Sequence, residues 1–201
     1  MKKLVTVCAS LILAAACTLP AHAADIRHTV VSGDTMWKLA VRYQVGISEI
    51  IGANPQVENP DLIYPGQILK IPQLDSRVTN YETEVVKLVN EQRAKYNLAP
   101  LAMNWELARV ARYKSQDMAD KGYFSHTSPT YGSPYTMMKA FGITYRTAGE
   151  NIAYGYSSPK AVVEAWMNSE GHRANILNTT YTQIGVGYVY DGNFWTQMFI
   201  S

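Results

Sequence analysis

The sequence predicts an α+β protein of two units: a small βααβ module, followed by a larger domain in which helices flank an antiparallel sheet. Two observations carry this. Between positions 28 and 72, short β-branched runs bracket two segments of helical period, and beyond position 80 the apolar period is helical until it turns strand-like near position 183. At 201 residues, 47% hydrophobic and 17% charged, the chain has enough apolar material for one small module and one domain of ordinary size.

The amino terminus sets the compartment. Lys2 and Lys3 precede an apolar run from Leu4 to Ala16 and then Ala21-His22-Ala23, which reads as a secretory signal peptide over residues 1–23, cleaved after Ala23. The run is too short to span a bilayer core comfortably, and no stop-transfer pattern follows. An alternative treats Ala14-Ala15-Ala16-Cys17 as a lipoprotein site with Cys17 lipidated, although Ala14 stands where a branched residue is expected. Both cysteines, Cys8 and Cys17, fall inside this removable segment, so ordinary cleavage excludes disulfides and a cysteine nucleophile. Removing Lys2 and Lys3 also brings the 18 basic residues level with the 16 acidic ones, which argues against a nucleic-acid partner.

In the first unit, Thr29, Val30 and Val31 read as a strand ending at Ser32-Gly33-Asp34, after which Trp37, Ala40, Val41 and Gln44 recur at helical spacing. Gly46 reads as a helix stop, Ser48 as the cap of a second helix carrying Ile50 and Ile51, and Asn54-Pro55 as its end. A last strand over residues 67–71 follows Pro65-Gly66. Antiparallel pairing of the end strands then encloses a core of Val30, Trp37, Leu39, Ile50, Leu62 and Ile68.

With its Val30-x-Ser32-Gly33-Asp34-Thr35 start, its Trp37-x-Leu39-Ala40 helix and its Tyr64-Pro65-Gly66-Gln67 turn, the stretch 27–72 resembles a LysM domain. The resemblance implies a shallow groove for N-acetylglucosamine polymers, peptidoglycan or a chitin-like glycan. One side of it is Gly33, Asp34, Thr35 and Met36, and the other is Asn59, Pro60, Asp61, Leu62 and Ile63. Backbone amides and polar side chains can bond acetamido groups there while apolar side chains cover sugar faces. The same residues also read as turn-makers, Gly33, Pro60 and Pro65 above all. A single module of this size binds weakly, so firm attachment needs multivalency or a second anchor.

Residues 73–79 are polar, lack a packing pattern and read as a linker, spanning at most roughly 25 Å. Helical spacing resumes with Val85, Leu88, Val89 and Tyr96, and again with Leu107, Val110, Ala111 and Met118 behind the capping candidate Asn104. A third helix covers residues 134–141. A fourth starts at Ser158-Pro159, a cap followed by proline at the first helical position, and buries Val162, Val163 and Trp166. Strand patterns at 183–190 and 194–200 flank Asp191-Gly192-Asn193, a hairpin turn.

His126, Glu150 and His172 each sit in a polar break between apolar elements, where clefts are usually lined. Their spacing alone is not diagnostic: there is no His-Glu-x-x-His helix and no Gly-x-Ser-x-Gly elbow. The ordered motifs say more. Phe124-Ser125-His126, then Gly149-Glu150-Asn151-Ile152, then Ser169-Glu170-Gly171-His172-Arg173-Ala174-Asn175-Ile176-Leu177 and Gln183-Ile184-Gly185-Val186-Gly187 make residues 80–201 resemble a bacterial CAP domain. That superfamily includes cysteine-rich secretory, antigen 5 and pathogenesis-related proteins, and the resemblance implies an α-β-α sandwich with a central cleft.

Many relatives carry a cleft tetrad of two histidines and two glutamates, and three of its positions correspond to His126, Glu150 and His172. Where relatives have a glutamate three residues after a helix tryptophan, this chain has Ser169 after Trp166, with Glu164 and Glu170 out of register. That departure weakens any mechanism built on the full tetrad. His126 and His172 together can hold a weak, exchangeable divalent metal such as zinc, with Glu150 orienting a water or acting as general base. As purely structural groups, His126 caps a turn, Glu150 bonds neighbouring amides and His172 orders the loop into Asn175-Ile176-Leu177. Asn151 and Arg173 read as scaffold.

The leading expectation is therefore a secreted, wall-associated protein rather than an enzyme. Its LysM module binds peptidoglycan, and its CAP domain binds a small ligand or a protein partner in the cell wall or spore coat. A LysM module ahead of this type of CAP domain resembles sporulation-associated proteins of endospore-forming bacteria, which implies a spore-envelope location. Two alternatives stand beside it: a metal-assisted hydrolase of a wall polymer or peptide acting through His126, Glu150 and His172, and a lipid-binding carrier.

Overall fold

The computed structural model describes residues 22–201, so the signal-peptide and Cys17 readings lie outside the described residues except at His22 and Ala23. The first element, β1 (His22–Thr29), pairs antiparallel with β2 (Ile68–Leu74), Ile26 opposite Ile71 and Thr29 opposite Ile68. Between them, α1 (Met36–Tyr43) and α2 (Ile47–Ala53) complete the expected βααβ order.

The expected core of this module is half right. Val30, Leu39 and Ile50 are buried, but Trp37, Leu62 and Ile68 are 63%, 52% and 52% exposed, and Met36, Ala40, Leu69 and Ile71 take their places. The cause is register. Side chains alternate along β2, so turning Leu69 and Ile71 inward turns Ile68 outward. Thr35 caps α1 through its hydroxyl and Lys38 N, so Met36, Leu39 and Ala40 form the inward stripe and Trp37 is rotated about 100° from Met36. Three boundaries also move. β1 ends at Thr29 rather than running through Val31; α1 stops at Gln44, in the left-handed region at φ 53°, rather than at Gly46; and Gly46, not Ser48, precedes α2. Asn54 stitches α2 to β2: its Nδ2 donates to the carbonyls of Ile50 and Lys70, both at 2.7 Å, and its Oδ1 accepts from Lys70 N at 2.8 Å.

Residues 73–79 are not a linker. β2 runs to Leu74 and α3 (Ser76–Lys95) starts two residues later, capped by Asp75 Oδ1 accepting from Arg77 N at 2.8 Å. The polarity that resembled a linker is that of a helix N-terminus, where short oxygen-bearing side chains satisfy free amides.

The second unit is built on a four-stranded sheet in the order β3-β5-β6-β4. β3 (Ala102–Met103) runs parallel to β5 (Gln183–Val189), while β6 (Phe194–Ile200) is antiparallel both to β5 and to β4 (Ala148–Ala153). One face carries α4 (Trp105–Lys121) and α5 (Pro134–Ala140), and the other carries α3, α6 (Pro159–Asn168) and α7 (Glu170–Ile176). This is the expected α-β-α sandwich. Along β5, Ile184, Val186 and Tyr188 join Val85, Val89, Trp166 and Trp195 on one face. Gly185 and Gly187 turn to α4, where a Cβ would collide with its backbone, so glycine at both lets helix and sheet pack at close range. Asn104 and Ser158 cap α4 and α6 as the sequence indicated, by accepting from Leu107 N and Ala161 N. The sequence reading did not anticipate β3, β4 or α7.

β3 is too short to cover the edge of β5, and a buried side chain takes over. Glu82 of α3 accepts from Tyr188 N at 3.1 Å and from Arg112 of α4 at 2.8 Å through Nε and 2.7 Å through Nη2. Among the described residues no helix is long and apolar enough to cross a membrane.

Candidate functional site

The cleft forms around the edge strand β4, and each residue of its Gly-Glu-Asn-Ile segment has a separate task. A Cβ on Gly149 would meet the Tyr181 hydroxyl, so glycine admits that ring. Glu150 lies opposite Met198, on the α4 side of the sheet; Asn151 lies opposite Gln197, on the other side. Asn151 is fully buried, and its Nδ2 donates to the His172 carbonyl at 3.1 Å and to Gln197 Oε1 at 2.9 Å. Asn175 Nδ2 donates to Asn151 Oδ1 at 2.8 Å, and Trp166 Nε1 to the Ile152 carbonyl at 3.3 Å. Asn151 is thus scaffold, as expected, and so is Arg173, whose Nη1 donates to the Met167 carbonyl at 2.8 Å.

His126 reaches the same strand from a loop that α4 holds down. The buried Lys114 Nζ donates to the carbonyls of Ser125 and His126 at 2.7 and 2.8 Å. One turn on, Asp117 Oδ2 accepts from the hydroxyls of Tyr123 and Ser128, both at 2.6 Å, and Thr130 bonds its other oxygen. Burial opposes the Asp117 carboxylate, yet the hydroxyls of Ser128, Thr130 and Tyr123 hold it below its usual range. Burial also pushes the Lys114 ammonium down, against the pull of Glu150 and Asp117. The sequence reading missed both residues. Their trace is a lysine and an aspartate seven and ten residues past Leu107, on a helix whose neighbouring positions are apolar.

The outcome is a 2.7 Å contact between His126 Nδ1 and Glu150 Oε1. With Nδ1 protonated the ring donates to the carboxylate and keeps Nε2 for a ligand. Glu150's bond raises the His126 imidazole above its ordinary value, against burial and Lys114. Burial pushes the Glu150 carboxyl up, with His126 and Lys114 opposing, and its Oε2 is buried without a protein partner. His172 moves the other way: burial lowers it, and the charge on His126 lowers it further. Sequence placed all three residues in breaks between elements, but only His126 is in a loop; Glu150 is in β4 and His172 in α7.

Beside His172 runs a groove of about 430 Å³, lined by Phe124, Ile152, Tyr154, Tyr156, Trp166 and Ser169, among others. Ser169, three residues past Trp166, lines this groove, whereas Glu164 pairs with Lys160 at the surface and Glu170 is exposed. Among the described residues, no three or more His, Cys, Asp or Glu side chains cluster closely enough to hold a metal. His126 and His172 by themselves fall short of the three protein ligands of a catalytic zinc site.

In the first unit, the expected groove residues sit on the loops before α1 and before β2. Val30 bridges the loop ends, its N–H donating to the Gln67 carbonyl and its carbonyl accepting from Gly66 N, both at 2.8 Å. Gly33, Thr35, Asn59, Asp61 and Leu62 are exposed. Others are engaged inward: Met36 is core, and Ile63 packs against that core. Asp34 accepts from His28 Nε2 at 2.8 Å, Val31 N at 3.0 Å and Arg42 Nη2 at 3.2 Å. Pro60 is half-buried, and Asn59 Oδ1 accepts from Asp61 N at 3.1 Å to shape the second loop.

Comparison with known proteins agrees with this division. The model of the cysteine-rich secretory protein family (CAP) matches residues 86–199, and the LysM domain model matches residues 28–72. An uncharacterized Bacillus subtilis protein, YkwD, is 62% identical over 126 residues, 63% of this chain and 49% of that protein. SpoIVD-associated factor A of Bacillus subtilis is 47% identical over 45 residues, 22% of this chain and 12% of that protein. Among solved structures, an extracellular SCP-domain protein of Bacillus anthracis is 39% identical with a TM-score of 0.59, covering 68% of this chain and 47% of that one. The chain thus spans about half the length, or less, of these relatives.

Proposed function

The chain belongs to the cysteine-rich secretory protein family and carries a LysM domain ahead of its CAP domain, and on that premise we propose that it is an extracellular, wall-associated protein whose LysM domain binds N-acetylglucosamine polymers of the peptidoglycan kind. The CAP cleft presents His126 and His172 to a ligand or a protein partner. The observation that carries the reading is the pair of adjoining loops, exposed at Gly33, Thr35, Asn59, Asp61 and Leu62, over a module whose core is otherwise closed. Polar loop edges with an exposed leucine suit a ligand that alternates acetamido groups and apolar sugar faces. A place in the spore envelope is the finer form of this proposal; the likeness of the LysM segment, 47% identical over 45 residues, to the spore coat assembly protein ExsA of Bacillus cereus supports it.

The test is retention of the full chain on insoluble peptidoglycan. Retention is expected for the wild type and for His126→Ala, and is lost in Leu62→Asp. Retention that survives Leu62→Asp but vanishes in His126→Ala would move glycan binding to the CAP cleft and overturn the assignment.

A second reading, hydrolysis of a wall polymer or peptide, is favoured by the His126–Glu150 contact at 2.7 Å together with the 430 Å³ groove that Phe124, Ile152 and His172 line. A buried carboxyl with a raised pKa is hydrogen-bonded to an imidazole there, the pair of groups that acid–base catalysis uses. A metal-assisted form would rely on His126 Nε2 and His172. Soluble fragments released from wall by the wild type, and absent with Glu150→Gln, would establish it.

A further inference from the structure

A second pocket, of about 220 Å³, lies where the two domains meet, between α1 and α2 on one side and the start of α4 with Phe141 on the other. The contacts around it are specific. Glu49 of α2, with 8% of its side chain exposed, accepts from Arg109 Nη2 at 2.8 Å through Oε2, and from the Tyr113 hydroxyl at 3.0 Å and Arg109 Nε through Oε1. Arg109 also donates to Ser48 Oγ at 2.8 Å, and its guanidinium lies 5.3 Å from the ring centroids of both Tyr113 and Phe141. Charge-assisted bonds of this kind, shielded from water, hold LysM and CAP surfaces in one relative position.

Two indoles line this pocket, one from each domain. Trp37 is 63% exposed although it belongs to a module of few apolar residues, and Trp105, at the first position of α4, is half-buried. An aromatic ring left this open contributes little to its own domain, and in a concave, polar-rimmed site it marks a ligand surface. Ser48, Glu106 and Arg109 supply the polar rim. Trp37 also lies two residues past Thr35, an exposed residue of the expected glycan groove.

The geometry points to a composite saccharide subsite in which Trp37 and Trp105 cover the apolar faces of one N-acetylhexosamine unit while Ser48, Glu106 and Arg109 bond its polar edge. The subsite extends the LysM groove along the same glycan, and so rests on the glycan-binding reading above. Its volume lies below the ~300 Å³ at which drug-sized sites begin, which suits a single sugar unit. A peptide is the poorer occupant. Extended peptides are held by open strand edges, and these walls are helices whose backbone is already bonded. The CAP domain would thereby read part of the glycan that LysM captures.

The test is calorimetric titration of the full chain with N-acetylglucosamine oligomers of increasing length. The wild type gains affinity as the oligomer grows long enough to reach the junction. Trp105→Ala and Trp37→Ala each lose about tenfold of that gain while binding the shortest oligomers normally. Whether or not Trp105→Ala folds, the indole N–H resonances of Trp37 and Trp105 in the wild type give an independent readout: both shift on adding long oligomer. Unchanged affinities and unmoved indole signals, with wild-type binding intact, overturn the subsite but leave LysM glycan binding standing. No binding of any oligomer by the wild type overturns both. Indole shifts caused by a free stem peptide and not by glycan overturn the saccharide assignment.

Discussion

The LysM module and the CAP domain solve the burial problem differently. The module's core is one apolar cluster of Val30, Met36, Leu39, Ala40, Ile50, Leu69 and Ile71, and one polar residue, Asn54, is buried beside it with its amide fully engaged. The CAP domain has two apolar clusters, one on each face of its sheet, and between and beyond them it buries Glu82, Arg93, Arg112, Lys114, Asp117 and Glu150. Removing charges from water costs several kcal/mol per ion, and the module's two shielded carboxylates, Asp34 and Glu49, lie outside its core of seven side chains, each paired with an arginine, Arg42 and Arg109. The difference teaches where each unit keeps its carboxylate–imidazole pair: the module sets Asp34 against His28 and Arg42 at a loop, while the larger domain sets Glu150 against His126 on a strand backed by a larger core.

Replacing Glu82 by alanine strikes this contrast hardest, because Arg112 would be left buried without its partner. The CAP domain should lose about 3–5 kcal/mol in urea unfolding; a loss under about 1 kcal/mol would mean that the pair is no burden on the fold. Leu39→Ala tests the other side. It opens a cavity in the small core and should cost about 2–5 kcal/mol. Tryptophan fluorescence and amide exchange should report the module unfolding before the CAP domain, and a single joint transition would show that the Glu49–Arg109 junction couples them.

Lys114→Met sharpens the comparison within the CAP domain. The methionine fills the space, but the carbonyls of Ser125 and His126 lose their donor, at a cost of about 1–3 kcal/mol. Faster amide exchange confined to residues 123–131 is the expected signature, and exchange spread over α4 would instead make Lys114 a general core residue. The smallest effect is electrostatic. In the wild type, histidine resonances should titrate with His126 above the ordinary value of 6.5 and His172 below it. An ionised Glu150 favours the protonated ring, so Glu150→Gln should lower the His126 pKa, and His126→Gln, by removing a nearby positive charge, should raise that of His172. A His126 titration indifferent to Glu150→Gln would sever the pair.

Much of the fold was legible in the sequence, and the exceptions have a common cause. The helices starting at Trp105 and Pro159 could be read because Asn104 and Ser158 cap them and their apolar residues repeat over several turns. β4 could not: Gly149, Glu150 and Asn151 are poor strand formers, and they occupy a strand because Tyr181, His126 and Asn175 meet them from elsewhere in the chain. Trp37 and Ile68 are apolar enough for the core, but a rotation of one residue in each element faces them outward. His126, Glu150 and His172 were named through family motifs; their spacing along the chain says nothing of the 2.7 Å contact.

By itself, then, the sequence determined the two-domain order, the βααβ module, the capped helices and the closing hairpin, because caps, turns and side-chain period act between residues a few positions apart. Only the tertiary structure decided that Lys114 and Asp117 would shape the His126 loop, that Glu82 would cover the open edge of β5, and that Glu49 would bind the two domains through Arg109. Those contacts join residues as much as 106 positions apart. Their strength depends on exclusion from water, a property that no residue carries until the chain has packed around it.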